Sequence, residues 1–99
     1  MTKSTNETFG GPVRDNIALQ RFEMDVDGAI AFANYRLGSG IIIITHTETP
    51  RTLRGQGVAS QLIDGALKLI QAKDQKVVAG CSFVADYLAK HPEWRKLEV

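Results

Sequence analysis

The sequence predicts a mixed α/β domain of the α+β kind, in which three antiparallel strands lead into a strand–helix–strand–helix unit that begins on the last of them. Three observations predict it. Asp27-Gly28 separates two extended runs, Ile41-Ile42-Ile43-Ile44 starts an apolar run that reaches Thr47, and two stretches of helical spacing flank a second short apolar run, Val77-Val78-Ala79.

Residues 1–12 are polar, have only Phe9 to bury and end in Gly10-Gly11-Pro12. They read as a disordered tail outside a single domain spanning residues 13–99. From Ile17 the residues alternate, with Leu19, Arg21 and Glu23 on one side and Gln20, Phe22, Met24 and Val26 on the other. Asp-Gly then supplies the two positive-φ positions that a tight hairpin turn requires. The returning strand, Ala29 to Leu37, sets Ile30, Phe32 and Asn34 on one face against Ala31, Ala33 and Tyr35 on the other. After a turn at Gly38-Ser39-Gly40, Ile41 to Thr47 is apolar on both faces, which predicts a central strand covered above and below.

Val58, Leu62, Ala66, Leu69 and Ile70, with Ile63 and Leu67 beside them, form the apolar stripe of a covering helix. Gly65 interrupts it at a cost of about 1 kcal/mol relative to alanine, which a close approach to the sheet would explain. Strand, helix and strand in this order imply a right-handed crossover, so Ile41–Thr47 and Val77–Ala79 are expected to be parallel neighbours. Phe83, Val84, Tyr87, Leu88 and His91 then recur at helical spacing until Pro92, leaving Trp94 and Leu97 to pack back as a short terminal segment.

At 99 residues and 43% hydrophobic content, the chain can build one modest core. Twelve basic residues nearly balance eleven acidic ones, which gives no reason to expect nucleic acid or a membrane surface as partner. No apolar run approaches the ~20 residues of a membrane span, and no signal peptide is evident. One cysteine, Cys81, cannot form an internal disulfide and fits a reducing, cytoplasmic location. Two histidines and one cysteine this far apart make no metal-ligand motif.

The strongest functional signal lies between Thr45 and Ala59, where a strand passes through Gly55 and Gly57 into a helix. Backbone N–H groups, the positive end of the helix dipole, Arg51 and Arg54 converge there on an anion. A nucleotide P-loop would need Lys-Ser/Thr after its second glycine, and neither follows Gly57. A dinucleotide fingerprint accepts Gly55 and Gly57, with Ser60 third, but wants an acidic residue about 20 positions on, where the chain reads Ala79-Gly80-Cys81. What remains is Gln/Arg-x-x-Gly-x-Gly/Ala, met by Arg54, Gly57 and Ala59. The amides of Leu53, Arg54, Gly55, Gln56, Gly57, Val58 and Ala59 would cradle a pyrophosphate.

With this motif between a strand and a helix, and a parallel strand following, the chain resembles the GNAT superfamily of N-acetyltransferases, which use acetyl-coenzyme A. The likeness extends over Val13 to Leu97. Arg21-Phe22, Gly28-Ala29-Ile30-Ala31, Tyr35, His46-Thr47-Glu48, Leu53-Arg54-Gly55-Gln56-Gly57, Cys81-Ser82-Phe83, Tyr87 and His91-Pro92-Glu93 are similar to the minimal YjdJ-type branch, which lacks the first helices of larger members. Two departures stand out. The branch usually has proline before its cysteine, where this chain has Gly80, and many superfamily members carry a glutamate base on the strand before the loop, where this chain has its isoleucine run.

The resemblance implies a GNAT-like mixed sheet whose parallel strands splay to admit the pantetheine arm. It also implies acetyl-coenzyme A as cofactor, with Thr47 and the loop to Ala59 on the cofactor and Cys81 near the thioester. Cys81 is then either a nucleophile or a wall of the acetyl pocket. His46 is expected to face the same cleft, as general base or as a structural residue, with Glu48 as the other candidate base. Tyr87 is a proton donor to the thiolate or a packing residue. Lys90 and His91 reach the adenosine phosphates or end a solvated helix. The implied reaction is acetyl transfer to an amine, whether a protein lysine, an N-terminus or a polyamine, by a monomer or weak dimer. The alternative is a non-catalytic acyl-coenzyme A binding module, or a subunit whose acceptor site a partner completes.

Overall fold

The structure, a computed structural model, describes residues 10–51 and 57–99. In chain order its elements are β1 (Arg14–Asn16), β2 (Arg21–Val26), β3 (Ala29–Leu37), β4 (Ile41–Glu48), α1 (Val58–Ala72), β5 (Lys76–Ala79), α2 (Ser82–Lys90) and a terminal 3₁₀ helix (Pro92–Leu97). The strands form one sheet in the order β1-β2-β3-β4-β5, antiparallel as far as β4 and parallel between β4 and β5. This is the mixed α/β class expected, with one more strand at its edge.

The hairpin turn is as expected. Asp27 and Gly28 both have positive φ, at 49° and 81°, and the turn sets the register Val26↔Ala29 through Arg21↔Asn34. The preceding strand starts later than its alternation suggests. Residues 17–20 form a turn in which Gln20 takes a φ of 53°, and Ile17 and Leu19 are exposed. Asn16 accepts the Leu19 N–H on its side-chain oxygen, which closes the turn and leaves Arg14–Asn16 as the separate edge strand β1. The fold also reaches into the expected tail, because the Gly11 N–H donates to the Asp25 carbonyl at 3.0 Å.

Both helices pack on one face of the sheet. Phe22, Met24, Val26, Ala31, Ala33, Tyr35, Ile42, Ile44 and Val77 point inward and form one core with side chains from both helices and the terminal segment. Trp94 and Leu97 are buried in it as expected. β4 is therefore neither central nor covered twice. It lies next to edge strand β5, and Ile41 and Ile43, opposite the buried Ile42 and Ile44, stay partly exposed because no described helix covers that face. Gly65 faces Val13, at the entry to β1, where an added Cβ would lie 2.7 Å from the valine Cβ.

Candidate functional site

The site sits where β4 and β5 part. The last bond between them runs from the Gly80 N–H to the Ile44 carbonyl at 2.8 Å, and the paired register ends at Ile44↔Ala79. A Cβ on Gly80 would lie 2.8 Å from that same carbonyl, so glycine permits this closeness. Proline could not donate the bond.

Beyond this point β4 carries a bulge. Asn34 pairs with His46 and Tyr35 with Ile44, leaving Thr45 unmatched. Strand alternation counted from Ile42 and Ile44 would bring His46 onto the helix-covered face; the extra residue moves every later side chain across the sheet. Thr47, paired with buried Ala33, takes the inward place, and its hydroxyl lies 3.6 Å from the Cys81 sulfur. His46 and Glu48, paired with Asn34 and Phe32, take the open face. The structure thus places Thr47, not His46, against Cys81.

On the open face the His46 Nε2 and the Glu48 Oε1 are 2.7 Å apart, both side chains substantially exposed. An ionised carboxylate only accepts, so Nε2–H donates, and in the neutral imidazole the lone pair is then on Nδ1. That tautomer is the one a general base needs, with the carboxylate positioned to stabilise the imidazolium that forms.

On the helix side, half-buried Cys81 precedes the first turn of α2 in extended backbone and has no side-chain capping bond. Tyr87 is buried, and its hydroxyl donates to the Asp64 carboxylate on α1 at 3.4 Å. Burial and the Asp64 charge together push the phenol up to about 12. Its ring stacks on His91 with centroids 3.9 Å apart, and the His91 Nδ1–H donates to the Tyr87 carbonyl at 2.8 Å. Lys90 forms an exposed pair with Asp86 one turn back.

Of the pyrophosphate loop, Leu53, Arg54, Gly55 and Gln56 lie outside the described residues. Gly57 caps α1 with a φ of 86°, a left-handed conformation that glycine adopts without strain. Neither a side-chain cap nor an acidic residue occupies the first turn of α1, which leaves that end suited to an anion. Val58 is buried in the core and can offer a ligand only its backbone, whereas Ala59 is half-buried. These features fit a coenzyme A thioester on the helix side. Among the described residues, no group of three or more His, Cys, Asp and Glu side chains is placed to hold a metal, and no helix is long and apolar enough to cross a membrane.

Arg21 and Asn34 acquire a place the sequence did not assign them. The register aligns Asn16, Arg21, Asn34 and His46 in one row across β1 to β4, all on the open face. Beside this row Glu23 is 3% exposed, because Arg14, Asn16 and Arg21 close over it with hydrogen bonds. Burial alone would raise the Glu23 carboxyl; the bonds from Arg21, Asn16 and Arg14 and the charge of Arg21 outweigh it and hold the group below its usual range.

Comparison with known proteins adds an independent line. Residues 21–97 match the family model described as GCN5-related N-acetyl-transferase. Protein NATD1 of Mus musculus is 32% identical over 95 residues, covering 90% of this chain and 86% of the mouse protein. Protein NATD1 of Homo sapiens is 32% identical over 72 residues, covering 73% of this chain and 63% of its own length. A Staphylococcus aureus protein described as GCN5-like, with a solution structure determined by NMR, superposes with a TM-score of 0.68 at 26% identity, covering 88% of this chain and 86% of that one.

Proposed function

The chain belongs to the GCN5-related N-acetyltransferase family, and from that premise we propose that it moves the acetyl group of acetyl-coenzyme A to an amine through the gap between β4 and β5. The observation that carries this reading is the division made by the Thr45 bulge. It turns Thr47 toward Cys81 on the helix side and His46 with Glu48 toward the open side, on consecutive residues of one strand.

When bound, acetyl-coenzyme A supplies an activated acetyl group. This chain's residues do the rest. Gly57, the first turn of α1 and the stretch from Leu53 hold the phosphates, while Cys81 and Thr47 line the acetyl group. The His46 Nδ1 takes the proton from the incoming ammonium. The freed nitrogen would then bond to the carbonyl carbon as the carbon–sulfur bond breaks, and the second proton, which the nitrogen must shed to become an amide, would go to the departing thiolate. Tyr87 holds α2 against α1 and leaves the chemistry to others. The acceptor, a protein lysine, an N-terminus or a polyamine, approaches from the open face.

The test combines binding with turnover. Coenzyme A at 100 times its dissociation constant should add about 2.7 kcal/mol to stability, and amines should drive release of free thiol from acetyl-coenzyme A. Stabilisation without release for any amine, alone or with cellular extract, would identify a binding module instead. Absence of stabilisation would exclude both. Brief incubation without amine decides the role of Cys81: a pocket-lining thiol leaves the protein mass unchanged, whereas a nucleophile gains an acetyl group.

A further inference from the structure

The open face holds a row of polar side chains of which the transfer reaction uses His46 alone. Arg21 stands in the row that ends at His46, two strands away, with Asn34 between them. Its guanidinium is held from two sides: Nε donates to the Glu23 carboxylate, and the guanidinium carbon lies 4.5 Å above the centre of the Phe32 ring. The side chain is 25% exposed. Among the described residues neither its two terminal nitrogens nor the Asn34 side-chain amide has a hydrogen-bond partner. The buried Glu23 carboxylate is meanwhile fully engaged by Arg14, Asn16 and Arg21.

A guanidinium fixed at its Nε and by a ring beneath presents a planar fork of N–H donors, whose best match is a carboxylate taken by two parallel bonds. Glu23 locks the orientation and offsets one of the two positive charges around it, so the fork is rigid before any ligand arrives. Neighbouring strands lie about 4.8 Å apart, which puts the Arg21 and His46 backbones on the order of 10 Å from each other. We infer that Arg21, with Asn34 beside it, binds a carboxylate on the acceptor, so that the amine acetylated is one carrying a carboxylate within about 10 Å of it. This rests on the open face being the acceptor side. Two sources supply that chemistry: a free ω-amino acid, or a peptide lysine followed by an acidic side chain.

The experiment follows the arginine Nε–Hε resonances of the full chain by NMR during titration with 5-aminopentanoate and, separately, pentylamine. The Arg21 resonance, identified by its loss in Arg21→Gln, should shift saturably with the amino acid and stay still with the alkylamine. In turnover, the ratio of kcat/KM for 5-aminopentanoate to that for pentylamine should exceed about tenfold and collapse toward one in Arg21→Gln. Because it is a ratio, partial loss of folded variant cancels. Blocked Lys-Glu and Lys-Gln dipeptides decide between the sources, since a peptide acceptor requires preference for the former and a free amino acid requires activity on neither. An Arg21 resonance unmoved by 5-aminopentanoate, or a ratio near one in the wild type, overturns the carboxylate site even if amines are acetylated. A saturable shift without any acetyl transfer upholds the carboxylate site and overturns the transferase reading.

Discussion

His46 and Thr47 differ by one position and serve opposite faces, so single substitutions there should separate chemistry from lining. The Thr47 hydroxyl touches the Cys81 sulfur at 3.6 Å, while the His46 imidazole bonds Glu48. Tyr87 offers a sharper contrast. Its phenol donates to Asp64, and burial with that carboxylate raises it to about 12, so its proton is held tightly near neutrality. Tyr87→Phe is expected to keep kcat for acetyl transfer within about threefold of wild type and to lose about 1 kcal/mol of stability. A 100-fold fall in kcat in a folded variant would return the phenol to a proton-donating role.

Glu23 gives a second test at the residue scale. Its folded-state carboxyl lies below the ordinary 4.5, so its contribution to stability is complete above that value and disappears as pH falls through the lower folded-state value. Thermal melts across the acid range should therefore show wild type losing stability on acidification. Glu23→Gln, which begins about 1–3 kcal/mol less stable at neutral pH, should lose less. Parallel curves for the two proteins would mean that the carboxylate contributes little.

At the scale of elements, the parts legible in the sequence are those whose instructions are local. Asp27-Gly28 fixes both the turn and the Arg21↔Asn34 register that follows from it. The buried stripe of α1 matches the apolar spacing at Val58, Leu62, Ile63, Ala66, Leu67 and Ile70. β1 was not legible, because Arg14-Asp15-Asn16 has no apolar alternation. Long-range contacts hold it: Arg14 to Glu23 and Asp25, and Asp15 to the Tyr35 hydroxyl and Lys73. The bulge was equally hidden, since Thr45-His46-Thr47 contains no glycine to mark it and either register exposes polar groups. Because of that one unmatched residue, the face His46 takes does not follow from strand alternation, whereas its place near the strand end does.

Gly65 turns the same reasoning into a measurement. Helix propensity alone would make Gly65→Ala stabilising by about 1 kcal/mol, but the added methyl collides with Val13 at the entry to β1. Overpacking of this kind costs about 1–3 kcal/mol, so denaturant unfolding should show a net loss. Val13→Ala in the same chain should recover most of it. A Gly65→Ala protein more stable than wild type would mean that Val13 moves aside without cost.

At the scale of the whole molecule, a sheet with both helices on one face would give the two proposed substrates separate approaches. The helix side offers the start of α1, which has no side-chain cap, and half-buried Cys81; the open side offers a row of polar side chains ending at His46. The membership of the chain in an acetyltransferase family and the 0.68 TM-score to a GCN5-like protein concern this architecture as a whole. The two-sided use of the β4–β5 gap is the central claim, and His46 is where it is most exposed to test. The measurement is the rate of amine-dependent thiol release from saturating acetyl-coenzyme A by wild type and His46→Gln. The account expects a fall of about 100-fold or more, with coenzyme A still stabilising the variant as it does the wild type. Equal rates for the two proteins would contradict it.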